Sequence, residues 1–292
     1  MRIILTGSRG QLAHDVGDRL GLGNEVRGVD LPEVDITRPE SVRELMDGFR
    51  PQVVVNCAAF TQVDACETER DLSFAVNAVG PGLLAEEAKR VGSYLVHIST
   101  DYVFDGQRPA SRAYIETDST GPLSWYGRTK LEGEQRVLNS GVSAAILRTA
   151  WLYGRKGKNF PKTMLRLALR NPERELKVVD DQQGSPTWSW RLAEQIEAVI
   201  GARCEGIFHS TAEGQTDWHA FARFFLEGMA VPFQMRPCPS SDYPTPAHRP
   251  ANSILENSRL KALGLNRFID WREDLQEFIR RYRMELIEEA RA

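Results

Sequence analysis

The sequence predicts an α/β protein: a doubly wound parallel sheet with a smaller, discontinuous C-terminal domain. Short apolar runs alternate with helical periodicity through residues 1–150, the rhythm of strand–helix units that build a parallel sheet. A glycine turn, Thr6-Gly7-Ser8-Arg9-Gly10, joins the first apolar run to the first helix. After Trp151 the alternation breaks into helices, a polar loop and a Pro-rich insert.

Residues 2–6 form the first expected strand. A helix follows over 11–22, with Leu12, Val16 and Leu20 recurring every fourth residue. Strands are expected at 25–30, 53–58, 93–99 and 144–147, and a long helical stretch at 67–90, where Pro81 should start or bend a turn. Beyond Trp151, Phe160, Met164, Leu165, Leu167 and Ala168 mark the apolar stripe of a helix. Residues 177–180 and a polar loop at 181–188 follow. The helix at 192–200 and the strand at 207–209 read as one more unit of the first sheet. The remainder is expected to be helical around the insert at 237–250, ending in a solvated charged helix at 280–291. These readings divide the chain into a dinucleotide-binding domain, 1–150 with 187–213 returning to it, and a substrate domain, 151–186 with 214–292.

Composition narrows the function. The 292 residues are 41% hydrophobic and 26% charged, with a formal net charge of −3. That balance suits a globular protein and offers no basic field for nucleic acid or an anionic membrane. No apolar run approaches the roughly 20 residues that span a bilayer. The N-terminus enters a strand with no secretory apolar region, so a reduced, cytoplasmic compartment is expected. Cys57, Cys66, Cys204 and Cys238 are too scattered for a metal knuckle or disulfide framework. The five histidines show no ligand spacing and read as structural.

The glycine turn carries the first chemical signal. Gly7 permits a tight turn, Gly10 lets the backbone approach a pyrophosphate at the positive end of a helix, and Ala13 allows close helix–strand packing. Asp30 closes the second strand, where a carboxylate can receive the adenosine ribose hydroxyls. These features describe a Rossmann-like nucleotide cradle. Asp30 repels a 2′-phosphate whereas Arg9 would pair with one; NADPH is the expected cofactor, with NADH as an alternative. Tyr126 and Lys130 carry the second signal. Four apart on a helix, they share a face, and a cation beside a phenol should pull its pKa down from about 10.

These motifs, with Asn56-Cys57-Ala58-Ala59-Phe60-Thr61, resemble the extended short-chain dehydrogenase/reductases. The blocks Ser99–Gly106, Pro122–Lys130, Leu147–Tyr153, Asn159-Phe160, Asp181–Thr187 and Arg249–Ser253 are similar, in order, to those of the dTDP-4-dehydrorhamnose reductase family. The resemblance implies NAD(P)H-dependent reduction of the C4 ketone of a dTDP-4-keto-6-deoxy sugar, with Thr100, Tyr126 and Lys130 as the catalytic set. It implies cofactor contacts from Gly10, Gln11, Leu12, Asp30, Asp35, Ile36, Ala59, Phe60, Thr61 and Lys130, joining Gly7 of the turn. It places Thr100, Asp101, Tyr126 and Trp151 at the sugar nucleotide. Structural alternatives stand beside these roles: a strand-ending turn for Thr100 and Asp101, core packing for Trp151, a helix N-terminal acid for Asp35. Arg249 would hold a substrate-side loop or only its carbonyls. Some relatives hold Mg2+ where two subunits meet; no carboxylate cluster here matches that site, so no metal ligand is assigned, and a homodimer is compatible. Two other functions fit the resemblance: reduction of a different dTDP-4-keto sugar, or a non-catalytic NADP-binding partner subunit like the β subunit of methionine adenosyltransferase.

Overall fold

A computed structural model describes all 292 residues. Its centre is a six-stranded, wholly parallel sheet. The strands are β1 (Arg2–Thr6), β2 (Glu25–Val29), β3 (Val53–Asn56), β4 (Tyr94–Thr100), β5 (Ala144–Thr149) and, after four short strands described below, β10 (Gly206–His209), in the order β10-β5-β4-β3-β1-β2. The inner strands are continuous apolar runs because helices cover both faces. Ile3, Leu5, Val53, Val55, Val96 and Leu147 pack toward α1 (Gln11–Leu20) and α8 (Ser189–Ala202). Ile4, Val54, Leu95 and Ile146, one residue out of phase, pack toward α2 (Pro39–Phe49), α5 (Gly80–Val91) and α6 (Trp125–Ser140). Successive side chains point to opposite faces, so one apolar strand serves two layers.

Three elements differ from expectation. The first helix stops at Leu20, because Gly21 and Gly23, the latter at φ 95°, turn the chain toward β2 and leave Leu22 exposed. The stretch at 67–90 is not one helix. After α3 (Val63–Cys66), α4 (Arg70–Phe74) passes through a π-helical turn, Ala75–Val79, into α5. Pro81 has no N–H to return to the Asn77 carbonyl, and the ladder widens there. The C-terminal part is not purely helical: β12 (Gln234–Cys238) pairs in parallel with β7 (Glu175–Val179). Pro237 is tolerated because this two-stranded sheet is all edge.

The polar loop at 181–188 is stitched by two-residue strands. β8 (Gln183–Gly184) pairs with β11 (Thr216–Asp217), and β6 (Leu152–Tyr153) with β9 (Thr187–Trp188). A second interior forms among α7 (Phe160–Arg170), α9 (Trp218–Met229) and α11 (Trp271–Arg291), filled by Met164, Leu165, Phe221, Phe225, Trp271 and Phe278. Leu167 is exposed rather than part of the α7 stripe. The charged end of α11 is helical but not wholly solvated: Leu286 is buried, and Glu285 and Glu289 pair with Arg155 and Lys162. A short helix, α10 (Ser258–Ala262), returns the chain to β10. No helix is long and apolar enough to cross a membrane.

Candidate active site

The sheet is built outward from β1 to β2, then resumes on the other side of β1 with β3. Such a reversal opens a crevice at the carboxyl ends of the strands, where open α/β sheets bind ligands. Gly7 sits there at φ 65°, and a Cβ on it would lie 2.7 Å from the Ala58 backbone. Only glycine fits that corner. The Gly10 N–H closes the turn on the Gly7 carbonyl at 2.9 Å, and Gly10 precedes α1 without any side-chain cap over its first amides. A cradle of main-chain donors at a helix N-terminus is the shape a dinucleotide pyrophosphate requires.

The other residues expected at the cofactor have the following partners. Asp30 accepts hydrogen bonds from the Arg9 N–H at 3.0 Å and the Leu31 N–H at 2.8 Å, while the exposed Arg9 side chain has no ion-pair partner. Gln11 turns its side chain away, donating to the Leu152 carbonyl and accepting from Asn159 at 2.8 Å. Leu12 and Ile36 are buried in the two layers flanking the sheet. The Asp35 carboxylate receives both the backbone N–H and the hydroxyl of Thr37, a local turn before α2. Ala59, Phe60 and Thr61 follow β3. The Phe60 N–H donates to Asn77 Oδ1 at 2.8 Å, and Asn77 Nδ2 donates to the Phe60 carbonyl at 3.0 Å and to Thr129 Oγ1 at 3.2 Å.

Thr100 ends β4, and Tyr126 and Lys130 lie in the first two turns of α6, whose start is capped by Ser124 accepting from the Gly127 N–H. All three side chains are buried. Thr100 Oγ1 donates to Asp101 Oδ1 at 2.9 Å. The Tyr126 ring meets Tyr102 edge-on at 5.4 Å. Lys130 Nζ donates to the Ile98 carbonyl at 2.7 Å, and burial pulls its pKa down to about 8 against the opposing charge of Glu134.

One expectation is corrected here. The Tyr126 phenol is raised, not lowered: burial is the main cause, and Asp101 adds to it. Lys130 reaches the Ile98 carbonyl, and desolvation of the phenolate outweighs any help from the cation. Tyr126 is therefore a fully protonated donor at neutral pH.

Asp101, 4% exposed, accepts the hydroxyls of Ser253 and Thr100, and burial still pushes its carboxyl up to about 6. Trp151 adopts φ 48°, rare for a bulky side chain. Its indole stacks on Trp218 at 3.5 Å between centroids, and a Cβ on Gly184 would overlap it. Arg249 donates to Tyr102 Oη at 3.2 Å and to the Asp64 carboxylate at 2.8 Å, so it ties the Pro-rich insert to the edge of the site through two side chains rather than loop carbonyls. Sequence reasoning missed Asn77, Ser253 and Trp218. Only Asn77 left a signal: an amide in the middle of an otherwise apolar helical stretch.

The chain matches the family model described as RmlD substrate binding domain over residues 1–284. It is 41% identical over 289 residues to a dTDP-4-dehydrorhamnose reductase of Burkholderia thailandensis, covering 93% of this chain and 96% of the relative. It is 42% identical over 281 residues to a probable dTDP-4,6-dihydroxy-2-methyloxan-3-one 4-ketoreductase of Streptomyces antibioticus, covering 95% and 94%. The solved dTDP-4-dehydrorhamnose reductase of Bacillus anthracis in complex with NADP superposes with a TM-score of 0.92 at 35% identity, covering 96% of this chain and 99% of that one. With its glycine cradle, buried Thr100–Tyr126–Lys130 set and near full-length match, the chain belongs to the dTDP-4-dehydrorhamnose reductase family of the extended short-chain dehydrogenase/reductases.

Proposed function

We propose that this protein reduces the C4 ketone of dTDP-4-dehydro-β-L-rhamnose to dTDP-L-rhamnose with NADPH, and NADH as an alternative. The observation that carries the reading is the convergence of Thr100, Tyr126 and Lys130 at the carboxyl end of β4, two strands from the Gly7 cradle. A reduced nicotinamide held there would supply the hydride. The Thr100 hydroxyl turns its proton from Asp101 to the ketone oxygen. Tyr126, kept neutral by burial, then protonates the oxygen as its charge develops. A weakened phenol remains a far stronger acid than an aliphatic alcohol, so the proton transfer runs toward the product. Lys130 would hold the nicotinamide ribose. Asp101 and Trp151 hold the sugar nucleotide, Gly7, Gly10, Gln11 and Leu12 the pyrophosphate through their backbone, and Asp30 the ribose. In this reading residues 1–150 and 187–213 are the nucleotide domain, and 151–186 with 214–292 the sugar-nucleotide domain. The reaction belongs in the cytoplasm, and light scattering tests for a homodimer.

Identity to the Streptomyces antibioticus ketoreductase is as high as to the Burkholderia enzyme, which supports a second reading with another dTDP-4-keto-6-deoxy sugar as substrate. One experiment addresses both: purified protein is offered NADPH with several such sugars, and the product stereochemistry is read by NMR. Tyr126→Phe should lower turnover by about 10²–10⁴-fold with cofactor affinity retained. Wild-type turnover in that variant, or no turnover of any keto sugar by the native chain, overturns the reading.

A further inference from the structure

Beneath the catalytic strand lies a buried ion pair that the chemistry above does not use. Glu134 on α6 and Arg148 on β5 have side chains only 1% and 3% exposed. Glu134 Oε1 accepts from Arg148 Nε at 2.9 Å and from the Ser99 hydroxyl at 2.6 Å, and Oε2 accepts from Arg148 Nη2 at 2.7 Å. One carboxylate thus joins β4, β5 and α6. Its attachment points sit beside the reacting groups: Ser99 precedes Thr100, and Glu134 lies one helical turn beyond Lys130 on the same face.

Stability explains this arrangement poorly. A buried ion pair is often no better than well-packed apolar residues of similar volume. This pair also leaves Arg148 Nη1 buried without a hydrogen-bond partner, an added cost to the fold. The pair makes sense as a device that fixes geometry and charge. We propose that Glu134 is a positioning residue for the reduction, holding the Thr100 end of β4 through Ser99 and keeping Lys130 charged at working pH.

The groups around Lys130 support the second half of that role. Cys57, beyond β3, is pushed up to about 12 by burial and is a neutral thiol. His97 on β4 is held neutral by burial and by Lys130 itself. Tyr126 stays protonated. Asp101 acts on Tyr126, and Arg148 is a cation already paired with Glu134. Glu134 is therefore the anion that opposes the desolvation of Lys130. Residues four apart on a helix are neighbours, and an opposite charge so placed raises a lysine by about 1 unit or more.

The inference rests on the reductase reading, so its test has an arm that needs no turnover. Lys130 is titrated by 13C NMR in the free protein labelled at lysine, its resonance identified from Lys130→Arg. In Glu134→Gln the midpoint should fall by about 1 unit from its native value near 8. The alkaline limb of the kcat profile should move down by the same amount, with kcat lowered about 10-fold and KM for NADPH within about twofold. Glu134→Asp should restore much of the midpoint. If Glu134→Gln does not fold, the double replacement Glu134→Gln with Arg148→Met leaves no buried cation unpaired and carries the test, with a smaller fall of the midpoint because a cation is lost with the anion. A folded variant with an unchanged Lys130 midpoint and unchanged kcat overturns the proposal. A native chain that reduces no keto-sugar nucleotide overturns the reductase reading alone, and the NMR midpoint still decides the role of Glu134.

Discussion

The nucleotide side and the sugar side of the site are made of different material. On the nucleotide side the groups are mostly main-chain ones, and several contacts that shape them are local: Gly10 closes on Gly7, Leu31 bonds Asp30 and Thr37 bonds Asp35, while the Arg9 amide reaches Asp30 from 21 residues away. On the sugar side the groups are side chains held from far along the chain. Asp101 is held by Ser253, 152 residues away, Tyr102 by Arg249, and Trp151 by Trp218 and the bare face of Gly184. A backbone-shaped site needs a few residues with special conformational freedom. A side-chain site needs the whole chain to have packed.

The largest effect should come from breaking the backbone side. Gly7→Ala adds a Cβ 2.7 Å from the Ala58 backbone at φ 65°. It should weaken NADPH more than 10-fold by fluorescence titration and destabilise the fold by about 1–3 kcal/mol. An unchanged cofactor affinity would mean that this corner does not form the cradle. A smaller and separable effect should follow on the other side. Gly184→Ala must displace the Trp151 indole, raising KM for the sugar nucleotide about 10-fold while cofactor affinity holds. If cofactor binding moved instead, the two sides would not be independent.

The smallest effect sharpens the comparison through pH. The folded Asp101 titrates near 6, above its unfolded value of about 3.9. Its protonated form is thus favoured by the fold. That contribution is fully present below about pH 4 and is lost as pH rises through 6, amounting to about 3 kcal/mol. Relative to Asp101→Asn, the native protein should lose this increment between pH 4 and pH 6 in denaturant titrations. Parallel stability profiles would show that Asp101 is not desolvated by its distant partners.

The elements that failed to follow expectation show where local reasoning stops. The stretch at 67–90 opens a new helical segment at Pro81, as expected from its sequence, with a π-helical turn before it; but Asn77 acquires its use only when the loop after β3 and α6 arrive beside it. β12 exists because β7 offers an open edge, where helix was expected to run into the Pro-rich insert at Pro237. The Tyr126–Lys130 pair was placed correctly on one helix, yet the sign of the phenol shift was set by burial and by Asp101.

The parallel α/β core, the glycine turn and the spacing of Tyr126 and Lys130 are legible in the order of the amino acids. Each depends on periodicity or on backbone freedom, which a residue carries wherever it goes. Only the tertiary structure decided which groups are desolvated and which distant side chains meet: the protonated Tyr126, the raised Asp101 under Ser253, the Trp151–Trp218 stack and the Glu134–Arg148 pair. Burial and long-range contact are properties of the packed chain, and they set the charge states on which the chemistry runs.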